Sequence, residues 1–448
     1  MKKSITLPTK SESVIFGKSL RAKTSRSSQG EWRLRGKGHN IVAILEASNR
    51  GRVPALVPVR YGRMLASPFG FLRGAAVVMA HDLARMPVSG IRMQACGDAH
   101  LMNFGGFATP ERHLVFDVND FDETLPAPWE WDLKRLAASV MVAGRYLNFS
   151  KSHCEDATVA SVRVYRETMA RYADLGATEM WYQRIDASAV AELTLALRKG
   201  APEAPRHPMM GHLFPKLTEI LGGRRRIRDE PPLVFHPRKK DRIVDHVRQF
   251  ISQYRRTLSD DRKYLFDRYQ LVDIAVKVVG VGSIGTRCAV ALFMARDDDP
   301  LFLQIKEADA SVLEPYAGRS RYHNHGQRVV EGQRLLQSAS DIFLGWSRIS
   351  DIGSDYYVRQ LRDCRTAASV DEMDFGHFVD YVRHCGEALA RAHAKAGNAA
   401  AISGYLGKGD SFDIAIMRFS HGYADQTECD FETLKKAADA GRVPVEAV

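Results

Sequence analysis

The segment from Leu271 to Lys306 constrains the fold more than any other part of the sequence. It alternates between apolar and polar residues, is rich in valine and isoleucine, and is interrupted by glycines. Two strands are predicted, Cys288 to Ala295 and Leu301 to Lys306, with Asp297-Asp298-Asp299-Pro300 as the turn between them. Helical periodicity dominates most of the remaining chain. We therefore predict an α+β fold in which a small β-rich unit interrupts a mainly helical chain.

Three glycines, Gly280, Gly282 and Gly285, precede this hairpin in the string GVGSIGTR and follow a predicted strand. The G-x-G-x-x-G spacing is found in Rossmann dinucleotide sites and also in the loop that covers the ATP phosphates in kinases. A Rossmann turn must open a helix, whereas strands follow here. The hairpin favours the kinase type of loop, in which these glycines and Ser283 would cover nucleotide phosphates.

Lys306 lies at the end of the second strand, in LFLQIKEA, where a kinase places its phosphate-binding lysine. The helix predicted from about Gly326 to Ser338 carries Glu331, which could pair with Lys306 and fix its ammonium over the α- and β-phosphates. Glu307 and Glu314 compete for that role. A surface lysine on an edge strand is the alternative interpretation of Lys306.

The string GDAHLMNFG places Asp98 and Asn103 five residues apart. This is the separation between the catalytic aspartate and the metal-binding asparagine of a kinase catalytic loop. An irregular loop of this length can aim one side chain at the acceptor hydroxyl and return the other to the metal. Asp98, Asn103 and Lys306 are therefore the predicted catalytic residues.

The string FDVNDFDE contains four acids, Asp117, Asp120, Asp122 and Glu123. Carboxylates at the end of a buried strand suit a hard divalent cation such as magnesium. Asp117 directly follows an apolar run, whereas Asp120 lies in the string that better matches the local kinase sequence. The sequence leaves both open as the magnesium ligand that acts beside Asn103. An acidic surface turn is the alternative.

Composition restricts the class of protein. The 448 residues are 45% hydrophobic, which is ample for two or three domains. Apolar runs are far shorter than the roughly 20 residues that cross a bilayer, so we expect no membrane span and a cytoplasmic location. The six cysteines are scattered, which argues against structural zinc and disulfides.

The net charge of +11 is concentrated in the stretch from Arg224 to Lys263. One interpretation is a site for an anionic small molecule or protein partner, and the other is a solvated basic surface. Acidic residues dilute the stretch, and it lacks the motifs of nucleic-acid-binding domains, which argues against a nucleic-acid partner.

The patterns predict four regions. These are a flexible basic arm (1–40), a helical region with the catalytic and metal loops (41–268), a small β-rich lobe (269–365) and a helical segment that returns to the first helical region (366–448). Helices are predicted over 71–86, 129–145, 161–175 and 374–397 and from about 431, with a hairpin over 104–118 and a strand over 356–361 that leads into an adenine-binding hinge.

Several long strings resemble the bacterial family DUF2252 across most of the chain, namely GDAHLMNFG, FDVNDFDE, PWEWDLKRLAAS, GVGSIGTR, LFLQIKEA, RVVEGQR and YADQTECDF. The motifs are also similar to those of protein kinases, and WDLKRLA resembles a helix of the aminoglycoside phosphotransferases. Their order differs, because Asp98 and Asp117 precede the segment from Gly280 to Glu331. A circular permutation explains this order, since function depends on the spatial arrangement of residues.

The resemblance implies a two-lobed, circularly permuted fold of the protein-kinase type. It also implies an ATP- and magnesium-dependent phosphotransferase whose acceptor the sequence does not identify. A catalytically silent nucleotide-binding scaffold and a nucleotidyltransferase on the same fold are the alternatives.

Overall fold

The structure is a computed structural model that describes residues 7–32, 35, 40–186, 213–231, 233–236, 243–278, 284–296, 299–361 and 370–446. It has the mixed α and β content that the sequence predicts. None of the described helices has both the length and the apolar character needed to span a lipid bilayer.

The described α-helices are α1 (Lys10–Ser19), α2 (Ile41–Ala47), α3 (Val57–Met64), α4 (Pro68–Gly74), α5 (Ala76–Leu83), α6 (Trp129–Tyr146), α7 (Lys151–Tyr172), α8 (Ala177–Tyr182), α9 (Leu213–Leu217), α10 (Ile243–Arg256), α11 (Asp260–Phe266), α12 (Glu314–Ala317), α13 (His325–Leu336), α14 (Phe375–Ala396), α15 (Ala399–Leu406) and α16 (Ser411–Asp439). The described strands are β1 (Arg92–Ala95), β2 (Phe104–Ala108), β3 (Leu114–Val118), β4 (Leu125–Pro128), β5 (Ile185–Asp186), β6 (Thr218–Leu221), β7 (Arg224–Ile227), β8 (Val234–Phe235), β9 (Gln270–Lys277), β10 (Cys288–Met294), β11 (Pro300–Ala308), β12 (Gly345–Ile349) and β13 (Ser354–Gln360).

The largest sheet is antiparallel and has six strands in the order β12, β13, β11, β10, β9, β8. Strands β10 and β11 form the predicted hairpin, in which Cys288 lies opposite Lys306. The helices α10 and α11 pack on one face, where the ring of Phe266 lies 5.3 Å from that of Phe293. Phe302 belongs to a separate apolar cluster. Both faces of this sheet are therefore covered, as its apolar strands require.

A helical body holds the largest core of the described chain. Helix α6 is buried almost all round, although it carries four buried charged residues, Glu130, Asp132, Lys134 and Arg135. Its first residue, Trp129, stacks on Tyr165 of α7 at 5.9 Å and on Phe412 of α16 at 5.6 Å between ring centroids. Helix α14 packs along α7. The end of the chain thus returns to the first helical region.

The N-terminal segment differs from the expected flexible arm. Helix α1 begins after the N-cap residue Thr9 and packs against α15. The two backbones approach so closely that a Cβ atom on Gly17 would lie 1.9 Å from the carbonyl oxygen of Ala401. Arg21 donates from Nε to the carbonyl oxygen of Tyr405 at 2.9 Å. Small residues and backbone hydrogen bonds make this contact, so the polar composition of the segment did not indicate it.

Two helix predictions also need correction. The pattern from residue 71 to 86 forms two helices, α4 and α5, because the backbone leaves helical geometry at Ala75, with φ −113° and ψ 34°. The last helix begins at Ser411 and not near Phe431. Phe412, Ile416 and Phe419 are spaced along one buried face, a helical signal that the sequence interpretation did not use.

A buried ion pair connects the hairpin of β2 and β3 to the C-terminal helices. Arg391 of α14 donates from Nη2 to Oδ1 of Asp117 at 2.7 Å, and both side chains are 0% exposed. The same nitrogen also bonds the carbonyl oxygen of Leu336, at the end of α13. Three elements that are distant in sequence therefore meet at one guanidinium group.

Replacing Arg391 with leucine should lower the free energy of unfolding by about 3–5 kcal/mol, because the Asp117 carboxylate would remain buried without its partner. Urea denaturation measures the change. The matched control is Arg383→Leu at an exposed position of the same helix, which should change the free energy by less than about 0.5 kcal/mol. Equal stability of the two variants would contradict a structural role for this ion pair.

Candidate functional site

The hairpin of β2 and β3 brings two predicted motifs together. It begins directly after Asn103 and ends directly before Asn119. The amide of Asn119 donates to the carbonyl oxygen of Asn103 at 2.8 Å, which closes the two ends. Nδ2 of Asn103 donates to the carbonyl oxygen of Asp98 at 2.7 Å. The loop from Asp98 to Asn103 and the acidic segment that follows β3 are therefore neighbours, as the sequence predicts.

Asp98 is held by Arg135 of α6. Nε and Nη2 of Arg135 lie 2.8 and 2.7 Å from Oδ1 of Asp98. Burial raises the pKa of Asp98 above its ordinary value, although Arg135 opposes this shift. Oδ2 faces Nε2 of His100 at 3.8 Å, and burial keeps the pKa of His100 well below its usual range. The imidazole is therefore neutral at pH 7 and does not neutralise Oδ2 of Asp98.

Asp132 supports the start of this loop, and the sequence interpretation missed it. Its carboxylate accepts hydrogen bonds from the amides of Cys96 at 2.6 Å and Gly97 at 2.9 Å. His393 of α14 lies 3.1 Å from the same carboxylate and 2.8 Å from the hydroxyl of Tyr165. The string WDLKRLA contains Asp132, so its resemblance to a phosphotransferase helix was the available signal.

Lys306 reaches the acidic segment from the other side. Its Nζ pairs with Oδ2 of Asp122, and the hydroxyl of Tyr357 donates to Oδ1 of Asp122 at 2.8 Å. Burial alone would lower the pKa of Lys306, but Asp120 and Asp122 raise it above its ordinary value. The ammonium is therefore charged. Asp122 appeared in the predicted acidic motif but not among the expected metal ligands.

The two candidates for the metal ligand have different surroundings. Asp117 is fully buried, with Oδ1 bound to Arg391 and Oδ2 bound to the amide of Ser338 at 2.8 Å. Asp120 is partly exposed beside Asp122, whose amide donates to its Oδ1 at 3.2 Å. Burial and the charge of Asp122 raise the pKa of Asp120. Both carboxylate oxygens of Asp117 are therefore bound within the fold, and Asp120 is the more accessible of the two carboxylates.

The predicted partner of Lys306 lies elsewhere. Among the ion pairs of the described residues, Glu331 binds Arg334 one turn along its own helix, at 3.4 Å, and not Lys306. Glu307 binds Arg287 at 2.8 Å, and Glu314 lies 3.9 Å from His325. The three glutamates considered from sequence thus have other partners, and Asp122 takes their place.

Of the four loop residues predicted to cover the phosphates, only Gly285 is described. Gly280, Gly282 and Ser283 lie outside the described residues, as do residues 362–369, which follow the strand expected to lead into the hinge. Gly285 has a φ of +92°, which favours glycine, and a strand follows it, as the hairpin prediction requires. Val53 donates its amide to the carbonyl oxygen of Gly285 at 2.7 Å. Arg52 donates to the carbonyl oxygen of Ile284.

The basic stretch from Arg224 to Lys263 is partly neutralised within the protein. Arg226 lies 2.7 Å from Glu219 and 2.9 Å from Asp229. Arg255 forms a two-point ion pair with Asp267. Residues 237–242 lie outside the described chain. These pairs favour the solvated-surface interpretation for the described part of the stretch.

The geometry can be set beside known proteins. The model of the family DUF2252, described as an uncharacterized protein conserved in bacteria, matches residues 52–437. The chain belongs to this family. The DUF2252 match includes the Asp98 loop, the acidic segment and Lys306. No curated protein and no solved structure matches the chain.

Asp132→Asn should loosen the loop that begins at Cys96. Only the oxygen of an amide side chain accepts hydrogen bonds, so one of the two oxygens that now bind the amides of Cys96 and Gly97 would be lost as an acceptor. We expect a loss of about 1–3 kcal/mol in stability and faster hydrogen exchange over residues 96–103. Exchange measured by mass spectrometry tests this. Asp156→Asn, at an exposed position of α7, is the control. Unchanged exchange in the Asp132 variant would show that the loop does not depend on this carboxylate.

Proposed function

We propose that the protein is an ATP- and magnesium-dependent phosphotransferase. The observation that carries the proposal is the ion pair between Lys306 and Asp122, which joins positions 184 residues apart. Phosphoryl transfer requires a lysine for the phosphates, oxygen ligands for magnesium and a carboxylate beside the acceptor hydroxyl. Lys306, the acidic segment and Asp98 supply these groups at one place in the fold.

The sequence of elements around Lys306 supports a kinase-like arrangement. The glycine-rich segment connects β9 and β10, Lys306 lies on the next strand, β11, and helix α13 follows. A kinase has the same succession of glycine-rich loop, lysine on the third strand and helix. The Asp98 loop and the acidic segment come earlier in this chain and later in a kinase. We propose a circular permutation, which leaves the spatial arrangement unchanged.

The residues present are suited to magnesium. Because Nδ2 of Asn103 is bound to the carbonyl oxygen of Asp98, its Oδ1 is the atom that could face a cation. Asp120 and Asp122 would supply carboxylate oxygens. No three acidic, histidine or cysteine side chains converge within the described residues, but a kinase site needs only an aspartate and an asparagine, since phosphate oxygens complete the shell. Bound magnesium would neutralise charge on the phosphates.

Asp98 is the group we assign to the acceptor. Its raised pKa and its second oxygen, which is not engaged by Arg135, suit it to accept a proton. The acceptor hydroxyl oxygen would form a bond to the γ-phosphorus of ATP while the bond from that phosphorus to the bridging oxygen breaks. The hydroxyl proton passes to Asp98, and ADP leaves with the bonding electrons. Lys306 would leave Asp122 and pair with phosphate oxygens.

One observation favours a catalytically silent nucleotide-binding protein as the second candidate. Active protein kinases require an ion pair between the phosphate-binding lysine and a glutamate of the following helix. Here Glu331 binds Arg334, and Lys306 binds Asp122. In this alternative, ATP binding would remain and turnover would be absent.

Lys306→Ala should weaken magnesium-dependent ATP binding at least about 100-fold, because the triphosphate would lose a cation within a partly desolvated site. Isothermal titration measures the affinity. Lys151→Ala is the control, since Lys151 is exposed on α7, and it should bind ATP like the parent protein. If Lys306→Ala binds ATP as tightly as the parent, Lys306 does not hold the phosphates.

Asp98→Asn distinguishes the enzyme from the scaffold. The substitution is nearly isosteric, so ATP affinity should change little while the release of ADP from ATP falls about 100-fold or more. A coupled ADP assay and isothermal titration measure the two quantities, and thermal melting checks the fold. Turnover that is unchanged in an active protein would refute the role of Asp98. Absence of turnover in the parent with every acceptor offered would favour the scaffold.

A further inference from the structure

A cavity of about 340 Å³ lies beside the loop that carries Asp98. Met102 of that loop forms part of its wall, and the remainder includes Ser67, Phe69 and Arg73 around α4 and Arg63 of α3. The volume is within the range of sites for small molecules. This cavity is lined by none of the residues that we assign to ATP or magnesium, so it is a separate space next to the proposed site.

The cavity is fixed in position relative to Asp98 by one side chain. The guanidinium of Arg135 that binds Asp98 also donates from Nη2 to the carbonyl oxygen of Leu72, at 2.7 Å. Leu72 immediately precedes Arg73 on α4. Because one rigid planar group binds both, the Asp98 carboxylate and the wall formed by α4 cannot move independently.

Arg73 provides the positive charge of this wall. Its Nε is buried and donates to no acceptor within the described chain. Its guanidinium lies 5.9 Å from the centre of the Phe69 ring. A buried donor without an acceptor is costly, and a charged acceptor would remove that cost. The guanidinium of Arg63 lines the same cavity.

The wall also contains one acid. Asp371 lines the cavity, and its charge raises the pKa of Tyr146 and acts on Arg73. The wall therefore carries two arginines and one carboxylate. Its apolar part is formed by Phe69, Met102 and Val370. Such a lining suits a small molecule with an apolar body and an anionic group.

We infer that this cavity binds the phosphoryl acceptor, a small molecule with an anionic group that contacts Arg73 and a hydroxyl directed towards Asp98. The role as acceptor rests on the proposed phosphotransferase function, whereas the binding of an oxyanion by Arg73 is independent of that function. Phosphate and carboxylate groups share the chemistry that an arginine recognises, and they differ in charge and in the number of their acceptor oxygens.

The test titrates inorganic phosphate and, separately, acetate into the full-length protein and measures binding by isothermal titration. We expect at least one of the two anions to bind in the millimolar range, and the tighter of them indicates the group that the acceptor carries. Arg73→Ala should weaken that binding at least about tenfold. Arg73→Lys should retain part of it. Arg418→Ala, at an exposed position of α16, should bind like the parent.

The Lys306→Ala variant separates this inference from the proposed function. Anion binding at the cavity should remain in Lys306→Ala and be lost in Arg73→Ala. ATP binding should be lost in Lys306→Ala and remain in Arg73→Ala. If neither anion binds the parent, or if Arg73→Ala binds the anions as the parent does, the inference is wrong. If ATP does not bind the parent but the anion still depends on Arg73, the anion site stands and the proposed function fails.

Discussion

The buried pair of Asp117 and Arg391 fixes the geometry on which the site depends. Side chains of a strand alternate between its two faces, so a shift of one residue in the hairpin of β2 and β3 would move Asp117 away from Arg391 and leave two unpaired charges in the core. The observed register, with Gly105 opposite Asp117, is thereby specified. This register also determines where the chain leaves β3 and hence where Asp120 and Asp122 lie relative to Asn103.

Sequence patterns predicted those parts of the site whose conformation depends only on residues close together in the chain. The two hairpins, the Asp98 to Asn103 loop and the position of Lys306 follow from alternation, turns and short spacing, and the structure has each of these elements. The partner of Lys306 could not be found this way. Glu331 and Asp122 are both acidic residues within predicted motifs. Only the packing of the six-stranded sheet against the helical body determines which of them contacts Lys306. Asp132 was missed because its role is to accept backbone hydrogen bonds, which leave no periodic signal.

The buried carboxylates of the site lie near several cations, among them Lys306, Arg328 and Arg359. Burial raises the pKa of Glu123 to about 7, although Arg328 opposes the shift, and burial also raises the pKa values of Asp98 and Asp120. Lys306 pairs with Asp122, and the charges of Asp120 and Asp122 both raise its pKa. Carboxylates with raised pKa values bind protons that a divalent cation would displace.

The bonds from Arg52 and Val53 to the turn at Gly285 attach the sheet to the helical body. Lys306 and Tyr357 attach it through Asp122, and Arg359 donates to the carbonyl oxygen of Asn119. A sheet held at several separated points is braced against rotation relative to the helical body. The segment before α3 supplies one of these points, so residues that precede every motif of the site help to hold the glycine turn in place.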